Sequence, residues 1–238
     1  PAADFTIEAS FVIRSVYESG AVRQIAAKWD GGELSPGWAF GVTGRQSKRK
    51  PQTLVMQLIG LDHAGRPIHE RIFSDQTIQL DKPYMASAAV ALATAEKPGE
   101  VRFYLKDVSN DDEPLLIAHA PHRVARGIAN TLPLTIGGQS GKVDSRFDGL
   151  IDDVRISQGA LGVEQILFTA ESGNQRTMGY WRFEPVPDVF ADASGHGRSI
   201  RPLLKRPADE TAAADPEHQA WIDFCHILLN SNEFLYTE

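Results

Sequence analysis

The chain has 238 residues, of which 42% are hydrophobic and 23% charged, and its formal net charge is −7 at pH 7. This composition is typical of a chain that buries a core, and it excludes an intrinsically disordered chain. The acidic balance argues against a nucleic-acid partner, no apolar run reaches the roughly 18–20 residues of a membrane span, and the single cysteine, Cys225, has no partner for an internal disulfide.

Alternation of apolar and polar side chains with a period of two dominates the first two thirds of the chain. In residues 5–14 the odd positions are apolar and the even positions mostly polar, which predicts a half-buried strand. The other predicted strands are residues 21–29, 37–43, 53–60, 70–73, 84–94, 100–108, 115–118, 132–136, 149–157 and 178–184. About eleven short strands without interleaved helices predict an all-β antiparallel sandwich.

Two segments have helical spacing instead. Residues 161–167 predict a short surface helix, and Asp215-Pro216-Glu217 is typical of a helix start. In residues 215–238 the apolar stripe is so wide that the helix needs cover on more than one side. Residues 202–214, with two prolines and an Ala-rich acidic stretch, predict a linker between the sandwich of residues 1–201 and this C-terminal helix.

Several phrases of the sandwich resemble a known family. The strand of residues 5–12, the Ile-Gly-Gly of residues 136–138, the sequence FDGLIDDVRI of residues 147–156 and the short helix after it are similar to laminin-G-like domains. These domains belong to the concanavalin A-like lectin/glucanase superfamily. The resemblance implies a concanavalin A-like jelly-roll sandwich of two antiparallel sheets, one of them concave.

The opening phrase of that family comes last in this chain. Residues 179–184, GYWRFE, and 192–197, DASGHG, resemble the usual first strand and the turn that follows it. Either the module is circularly permuted, with this strand pairing beside the closing one, or a second copy begins here. The permuted arrangement is favoured, because the remaining residues turn helical.

The C-terminal segment carries a separate resemblance. Residues 223–236 are similar to the final segment of large exported bacterial proteins of unknown function, in which a laminin-G-like module is inserted. The resemblance implies that the helix of residues 215–238 belongs to a neighbouring domain, which it would contact as a partner. It also implies export to the periplasm or the cell exterior.

Catalytic residues are not expected. Retaining glucanases need two carboxylates roughly 5–5.5 Å apart, and the signature of this superfamily's glucanases is an E-x-D-x-E strand. None of the predicted strands carries that pattern. The chain is therefore predicted not to be an enzyme.

Calcium is the one cofactor expected. The resemblance places a structural calcium ion at Asp152 of the closing strand, with oxygens from the opening turn at Asp192 and Gly195. Strand alternation supports this site, because it puts Asp152 on the core-facing side with Val154 and Ile156, and a buried carboxylate must be paired or bind a cation. The alternative is that Asp152 accepts hydrogen bonds from backbone N–H groups without a metal.

Four aromatic residues are candidates for stacking on a sugar. Trp29 and Trp38 flank the loop of residues 30–37, and Tyr84 and Tyr104 lie on strands that could face the concave sheet. Packing in the core is the alternative for all four. A cluster of cations at Arg45, Lys48, Arg49 and Lys50 could contact a polyanion, although a solvated loop is the favoured interpretation.

The function predicted from these observations is a non-catalytic recognition module that binds a glycan, within an exported bacterial multidomain protein. The alternative is a structural or protein-interaction domain without sugar binding, engaging its parent protein through the C-terminal helix. A glycoside hydrolase is third, because the paired carboxylates are missing from the sequence pattern.

Overall fold

The computed structural model describes residues 1–141, 145–169, 175–184 and 189–202. The linker predicted at 202–214, beyond Pro202, and the C-terminal helix predicted at 215–238 lie outside the described residues. No helix among the described residues is long and apolar enough to cross a membrane.

The described residues form eleven strands and one short 3-10 helix. The strands are β1 (Phe5–Ile13), β2 (Val22–Lys28), β3 (Gly37–Thr43), β4 (Thr53–Leu61), β5 (Pro67–Thr77), β6 (Pro83–Ala91), β7 (Gly99–Asp107), β8 (Leu116–His122), β9 (Thr135–Ile136), β10 (Gly149–Gln158) and β11 (Thr177–Trp181). Each of the eleven predicted segments overlaps one of them. The 3-10 helix, Val163–Gln165, is shorter than the surface helix predicted at 161–167.

The strands pair into two antiparallel sheets. One sheet has the order β11-β10-β1-β6-β7-β8, and the other has the order β5-β4-β3-β2-β9. In the first sheet, Val154 of β10 pairs with Trp181 of β11, so the strand that resembles the family's opening lies beside the closing strand. The predicted all-β sandwich of two antiparallel sheets is confirmed, and β11 pairs with β10 as a circular permutation requires.

The core lies between the two sheets. It is built from alternate residues of nearly every strand, because successive side chains of a strand point to opposite faces. Its largest fully buried aromatic side chains are Phe5, Trp38, Phe40 and Phe103, and the ring centroids of Phe5 and Trp38 are 5.2 Å apart. Burial of this apolar surface is the main stabilising contribution of the fold.

A β-bulge in β10 changes the position predicted for Asp152. Ser10 pairs with Asp152, whereas Glu8, two residues earlier in β1, pairs with Arg155, three residues later in β10. The extra residue is Asp153, whose φ is +47°, and such an insertion shifts the alternation by one residue. Asp152 is therefore exposed, and the prediction that it faces the core is wrong.

A segment at residues 159–169, which contains the 3-10 helix, covers part of the outer face of the six-stranded sheet. Thr6 of β1 holds its start: the Thr6 hydroxyl donates to the carbonyl of Gly159 and accepts the N–H of Leu161. Leu161 and Ile166 then pack against Tyr104 and Ala89. This second layer explains why both faces of β6, a strand of mostly small apolar residues, are buried.

A buried ion pair lies under the same segment. The Nε of Arg155 donates to Oε2 of Glu8 at 2.6 Å, and the side chains are 0% and 1% exposed. The pair also binds the segment: Arg155 Nη2 donates to the carbonyl of Gln165 at 2.7 Å, and Glu8 Oε1 accepts the N–H of Leu167 at 2.6 Å. The pair therefore joins β1, β10 and the covering segment.

A second buried cation organises the turn between β7 and β8. Lys106 is 5% exposed, and its ammonium donates hydrogen bonds to the backbone carbonyls of Asn110, Asp111 and Glu113. The first two of these bonds are 3.1 Å long. One side chain thus gathers three carbonyl oxygens of the same turn.

Candidate functional site

A groove of about 1100 Å³ lies on the outer face of the five-stranded sheet. Gln24 of β2, Thr43 of β3 and Gln57 of β4 line it, and Gly41 lies on the same face of β3 as Thr43, opposite Gln24. The space over Gly41 is limited, since a Cβ atom at this position would lie 2.2 Å from the carbonyl oxygen of Arg23. Only glycine fits at this position of β3.

Amide and guanidinium groups border the middle of the groove. Gln57 of β4 pairs with Arg71 of the edge strand β5, and Arg71 Nε donates to Gln57 Oε1 at 3.3 Å. On the opposite side, Gln24 Nε2 donates to Gln139 Oε1 at 3.4 Å. Within the described part of the chain, Gln24 Oε1 is buried without a hydrogen-bond partner. It can accept a hydrogen bond from a ligand if the side chains packed around it move aside.

One end of the groove is aromatic. Trp29 packs with Ala27, Ala39 and Ile59 in a small apolar cluster that is separate from the core between the sheets. The Trp29 indole N–H donates to the carbonyl of Gly32 at 2.9 Å, which fixes the ring. This cluster places an indole edge beside the polar middle of the groove.

His69 lies against Trp29 at the same end. The two rings are T-shaped, with centroids 5.3 Å apart. Burial, followed by the nearby positive charge of Arg71, lowers the pKa of His69. Its Nε2 is buried and lacks a hydrogen-bond partner among the described residues, so a neutral His69 keeps one ring nitrogen available for a hydrogen bond.

The other end of the groove is cationic. Lys48 and Arg49, at the tip of the β3–β4 loop, line it. The loop is held in place by ion pairs on both sides: Arg45 contacts Glu18 at 3.0 Å, and Lys50 contacts Asp75 of β5. Lys48 and Arg49 have no carboxylate within 4.0 Å among the residues that the structure describes.

Two carboxylates, Glu33 and Glu70, also line the groove. Glu70 is engaged with Arg123, because its Oε2 accepts the backbone N–H and its Oε1 accepts Nε–H, both at 2.7 Å. The groove is thus lined by two carboxylates and by four cationic side chains, Lys48, Arg49, Arg71 and Arg123. Of the carboxylates, Glu70 is already paired with Arg123. The groove is a positively charged region of an acidic chain.

The structure separates the four aromatic residues that were predicted to bind a sugar. Of the four, only Trp29 borders the groove, and it is itself buried, with 5% of its surface exposed. Trp38 is 0% exposed in the core, Tyr84 packs there against Phe11, and Tyr104 lies beneath Leu161 on the other sheet. These three rings have no face open to a ligand, so burial corrects the stacking role predicted for Trp38, Tyr84 and Tyr104.

The residues predicted to bind calcium are also placed differently from the expectation. Asp192 Oδ1 accepts the N–H groups of Tyr180 at 3.0 Å and Ser194 at 2.9 Å, and Oδ2 accepts that of Arg198 at 3.0 Å. Partial burial opposes ionisation of Asp192, but these hydrogen bonds outweigh it and lower its pKa to about 2. Both carboxylate oxygens are thus already occupied by hydrogen-bond donors.

The other two predicted ligands do not complete a site. Asp152 is exposed and accepts the N–H of Asp153 at 2.9 Å, and Gly195 is an exposed turn glycine with φ +81°. The described ranges contain no group of three or more His, Cys, Asp or Glu side chains suited to a metal ion. Asp152, Asp192 and Gly195 therefore do not fit the oxygen cage that calcium requires, and calcium binding stays a prediction.

Comparison with known proteins finds distant structural similarity and no match in sequence. No protein-family model matches the chain, and no curated protein matches its sequence. Among solved structures, the carbohydrate-binding module CBM40 of the Ruminococcus gnavus IT-sialidase, bound to α2,3-sialyllactose, is 13% identical, with a TM-score of 0.45 over 70% of this chain and 82% of that chain.

A heptameric SAP-like pentraxin from Limulus polyphemus is 12% identical, with a TM-score of 0.44 over 84% of this chain and 82% of that chain. Identities and TM-scores this low carry no information on what the present chain binds.

Sequence reasoning missed most of the groove. Gln24, Gln57, His69 and Arg71 lie in predicted strands or beside them, but nothing in their spacing distinguishes them from ordinary solvent-facing residues. Trp29 and the basic loop were the parts of the groove that the sequence singled out. The place of the loop at the end of a groove depends on the pairing of β3, β4 and β5, which the sequence does not specify.

Proposed function

We propose that this module binds a carbohydrate in the groove of the five-stranded sheet and does so without catalysis. The observation that carries the proposal is the combination, in one groove, of the planar polar side chains of Gln57 and Arg71 with the apolar cluster around Trp29. Ligand sites of this kind combine apolar surface with a few well-placed polar groups. A sugar ring offers the matching chemistry, because it has both hydroxyl groups and apolar C–H faces.

The groove carboxylates support a binding role rather than a hydrolytic one. Retaining and inverting glycosidases need a pair of carboxyl groups, one acting as a general acid. Here both oxygens of Glu70 accept hydrogen bonds from Arg123, so that carboxylate is already engaged. We also propose, on the resemblance of the C-terminal segment alone, that the parent protein is exported.

The test is binding of the full chain to a glycan array, followed by titration of each glycan that binds. Gln57→Ala is expected to weaken binding about threefold to tenfold, the effect of one lost hydrogen bond. Trp29→Ala is expected to weaken it further, because it removes the apolar end of the groove. The matched control is Gln79→Ala, an exposed glutamine outside the groove, which is expected to bind as the unmodified chain does.

Two results contradict the proposal. One is that no glycan binds, and the other is that binding is unaffected by both Gln57→Ala and Trp29→Ala while the variants remain folded by circular dichroism. Either result favours the alternative, a structural or protein-interaction domain. Release of reducing sugar from a polysaccharide panel contradicts the non-catalytic assignment alone.

A further inference from the structure

We propose that the saccharide bound in the groove is anionic, carrying carboxylate or sulfate groups that Lys48, Arg49 and Arg71 hold. This inference rests on the proposed function and names the class of its ligand. It assigns a role to the basic loop of residues 45–50, which the neutral chemistry of a sugar does not explain.

The first argument is the division of partners within the loop. Its outer cations are paired, Arg45 with Glu18 and Lys50 with Asp75. Its middle cations, Lys48 and Arg49, are exposed in the groove and have no carboxylate partner in the described ranges. The paired residues therefore position the loop, and the unpaired residues leave two positive charges facing the groove.

The second argument is that the loop has a defined backbone. The N–H of Arg45 donates to the carbonyl of Tyr17 at 2.8 Å, and the N–H of Gly44 donates to that of Ala21 at 2.9 Å. Thr43 closes the other side, since its hydroxyl donates to the carbonyl of Lys50 at 2.6 Å. A loop tied at both ends loses less conformational entropy when its side chains bind a ligand.

The third argument is the guanidinium of Arg71 in the middle of the groove. Its Nε donates to Gln57, and Arg71 forms no ion pair with the described residues. A guanidinium whose remaining N–H groups are free matches the geometry of a carboxylate or sulfate in a bidentate contact. Gln57, in turn, orients that fork.

The fourth argument is the buried amide of Gln24, which is 2% exposed at the groove wall. Its Oε1 has no hydrogen-bond donor within the described part of the chain. A buried acceptor of this kind is stabilised by a hydroxyl donor. The groove thus offers cations for acidic groups and an amide acceptor for hydroxyl groups, as an acidic sugar requires.

The experiment compares matched saccharides by isothermal titration with the full chain. The first pair is trigalacturonate and its methyl ester, and the second is a sulfated galactan tetrasaccharide and its desulfated form. The expected result is that at least one anionic member binds about tenfold or more tightly than its neutral counterpart, the effect of one or two charge-assisted hydrogen bonds. Raising the sodium chloride concentration should reduce this preference, because salt screens exposed charges.

Variants locate the charge. Lys48→Gln with Arg49→Gln is expected to remove most of the preference for the anionic member while leaving neutral binding within about twofold, and Arg71→Gln is expected to weaken binding of the anionic member more than binding of the neutral one. The matched control is Arg14→Gln with Arg126→Gln, two exposed cations outside the groove that change the net charge equally. This control is expected to keep the preference. Thermal melting establishes that each variant is folded.

Three results overturn the inference, and they differ in what they leave standing. Equal affinity for the charged and neutral members overturns it while the proposed function stands. Binding of inorganic sulfate as tightly as the sulfated saccharide overturns it in favour of a simple anion site. Absence of binding to all four saccharides and to the glycan array overturns both this inference and the proposed function.

Discussion

Asp192 shows how one residue fixes the turn that follows β11. Its carboxylate accepts N–H groups from Tyr180 in the strand, from Ser194 in the turn and from Arg198 beyond it. Hydrogen bonds to a charged acceptor are stronger than those between neutral groups. The carboxylate therefore performs, through hydrogen bonds, the organising role that the resemblance assigned to a calcium ion.

Replacing Asp192 by Asn should destabilise the fold by about 1–2 kcal/mol near pH 6, because the amide has only one acceptor oxygen. The pKa of Asp192 is lowered from 3.8 to about 2, so its contribution is present above about pH 4 and is lost as the pH falls toward 2. Urea unfolding at pH 6, 4 and 2.5 should show the difference between the two proteins shrinking at each step.

The control for this prediction is Asp111→Asn, an exposed aspartate in the β7–β8 turn. Its unfolding free energy should match that of the unmodified chain at each pH. A difference between Asp192→Asn and the unmodified chain that stays constant from pH 6 to pH 2.5 would contradict the linkage.

Asp152 and Asp192 also show what the sequence can and cannot predict at single residues. The order and spacing of the motifs correctly placed both aspartates near the junction of the opening and closing strands. The orientation of Asp152 was not predictable, because it depends on a bulge at Asp153 that disrupts the alternation from Ile151 to Val154. A period-two pattern contains no signal for one inserted residue.

At the level of elements, the ion pair of Glu8 and Arg155 joins strands β1 and β10 to the segment that covers them. Both side chains are fully buried, and together they hold the covering segment of residues 159–169 on β1 and β10. A buried ion pair gains little over an apolar pair, but the loss of one member leaves an uncompensated charge. Replacing one member alone should therefore destabilise the fold more than replacing both.

Arg155→Met alone should lower the free energy of unfolding by about 3–5 kcal/mol at pH 7, since it leaves the Glu8 carboxylate buried without its cation. Adding Glu8→Gln should recover a large part of this loss, because Gln is neutral and still accepts the Leu167 N–H. Urea unfolding of the two variants gives the comparison, and a double variant no more stable than Arg155→Met would contradict it.

An exposed pair serves as the reference for this cycle. Arg45 and Glu18 have side chains that are 49% and 78% exposed, so Arg45→Met should cost less than about 1 kcal/mol. The contrast between the two arginines isolates the effect of burial.

Elements were the scale at which sequence reasoning succeeded. Apolar patterning marked all eleven strands. It did not show which face each side chain takes: in β3 both Trp38 and Ala39 are apolar, and only the packing of the sheets puts Trp38 in the core and Ala39 on the outer face with Trp29. The groove depends on that assignment, and so do the functional roles of the aromatic residues.

For the molecule as a whole, the core supports a body that ends near residue 200. Its fully buried members run from Phe5 to Trp181, with Ile200 packed against them. We therefore expect a chain of residues 1–201 to unfold in a single transition, with a melting temperature within about 3 °C of the full chain, the shift that about 1 kcal/mol produces at this size. Scanning calorimetry of the two chains is the measurement, and aggregation or a much lower transition in the shorter chain would contradict the predicted boundary.

The turn gathered by Lys106 has a consequence for the conditions in which this body keeps its shape. A bound calcium ion can also gather backbone carbonyls of a turn, together with carboxylates and water, but it can dissociate. Here the cation is covalently part of the chain, so it cannot be diluted away, removed by a chelator or exchanged for a competing ion. The β7–β8 turn should consequently be equally well ordered at low and at high concentrations of dissolved metal ions.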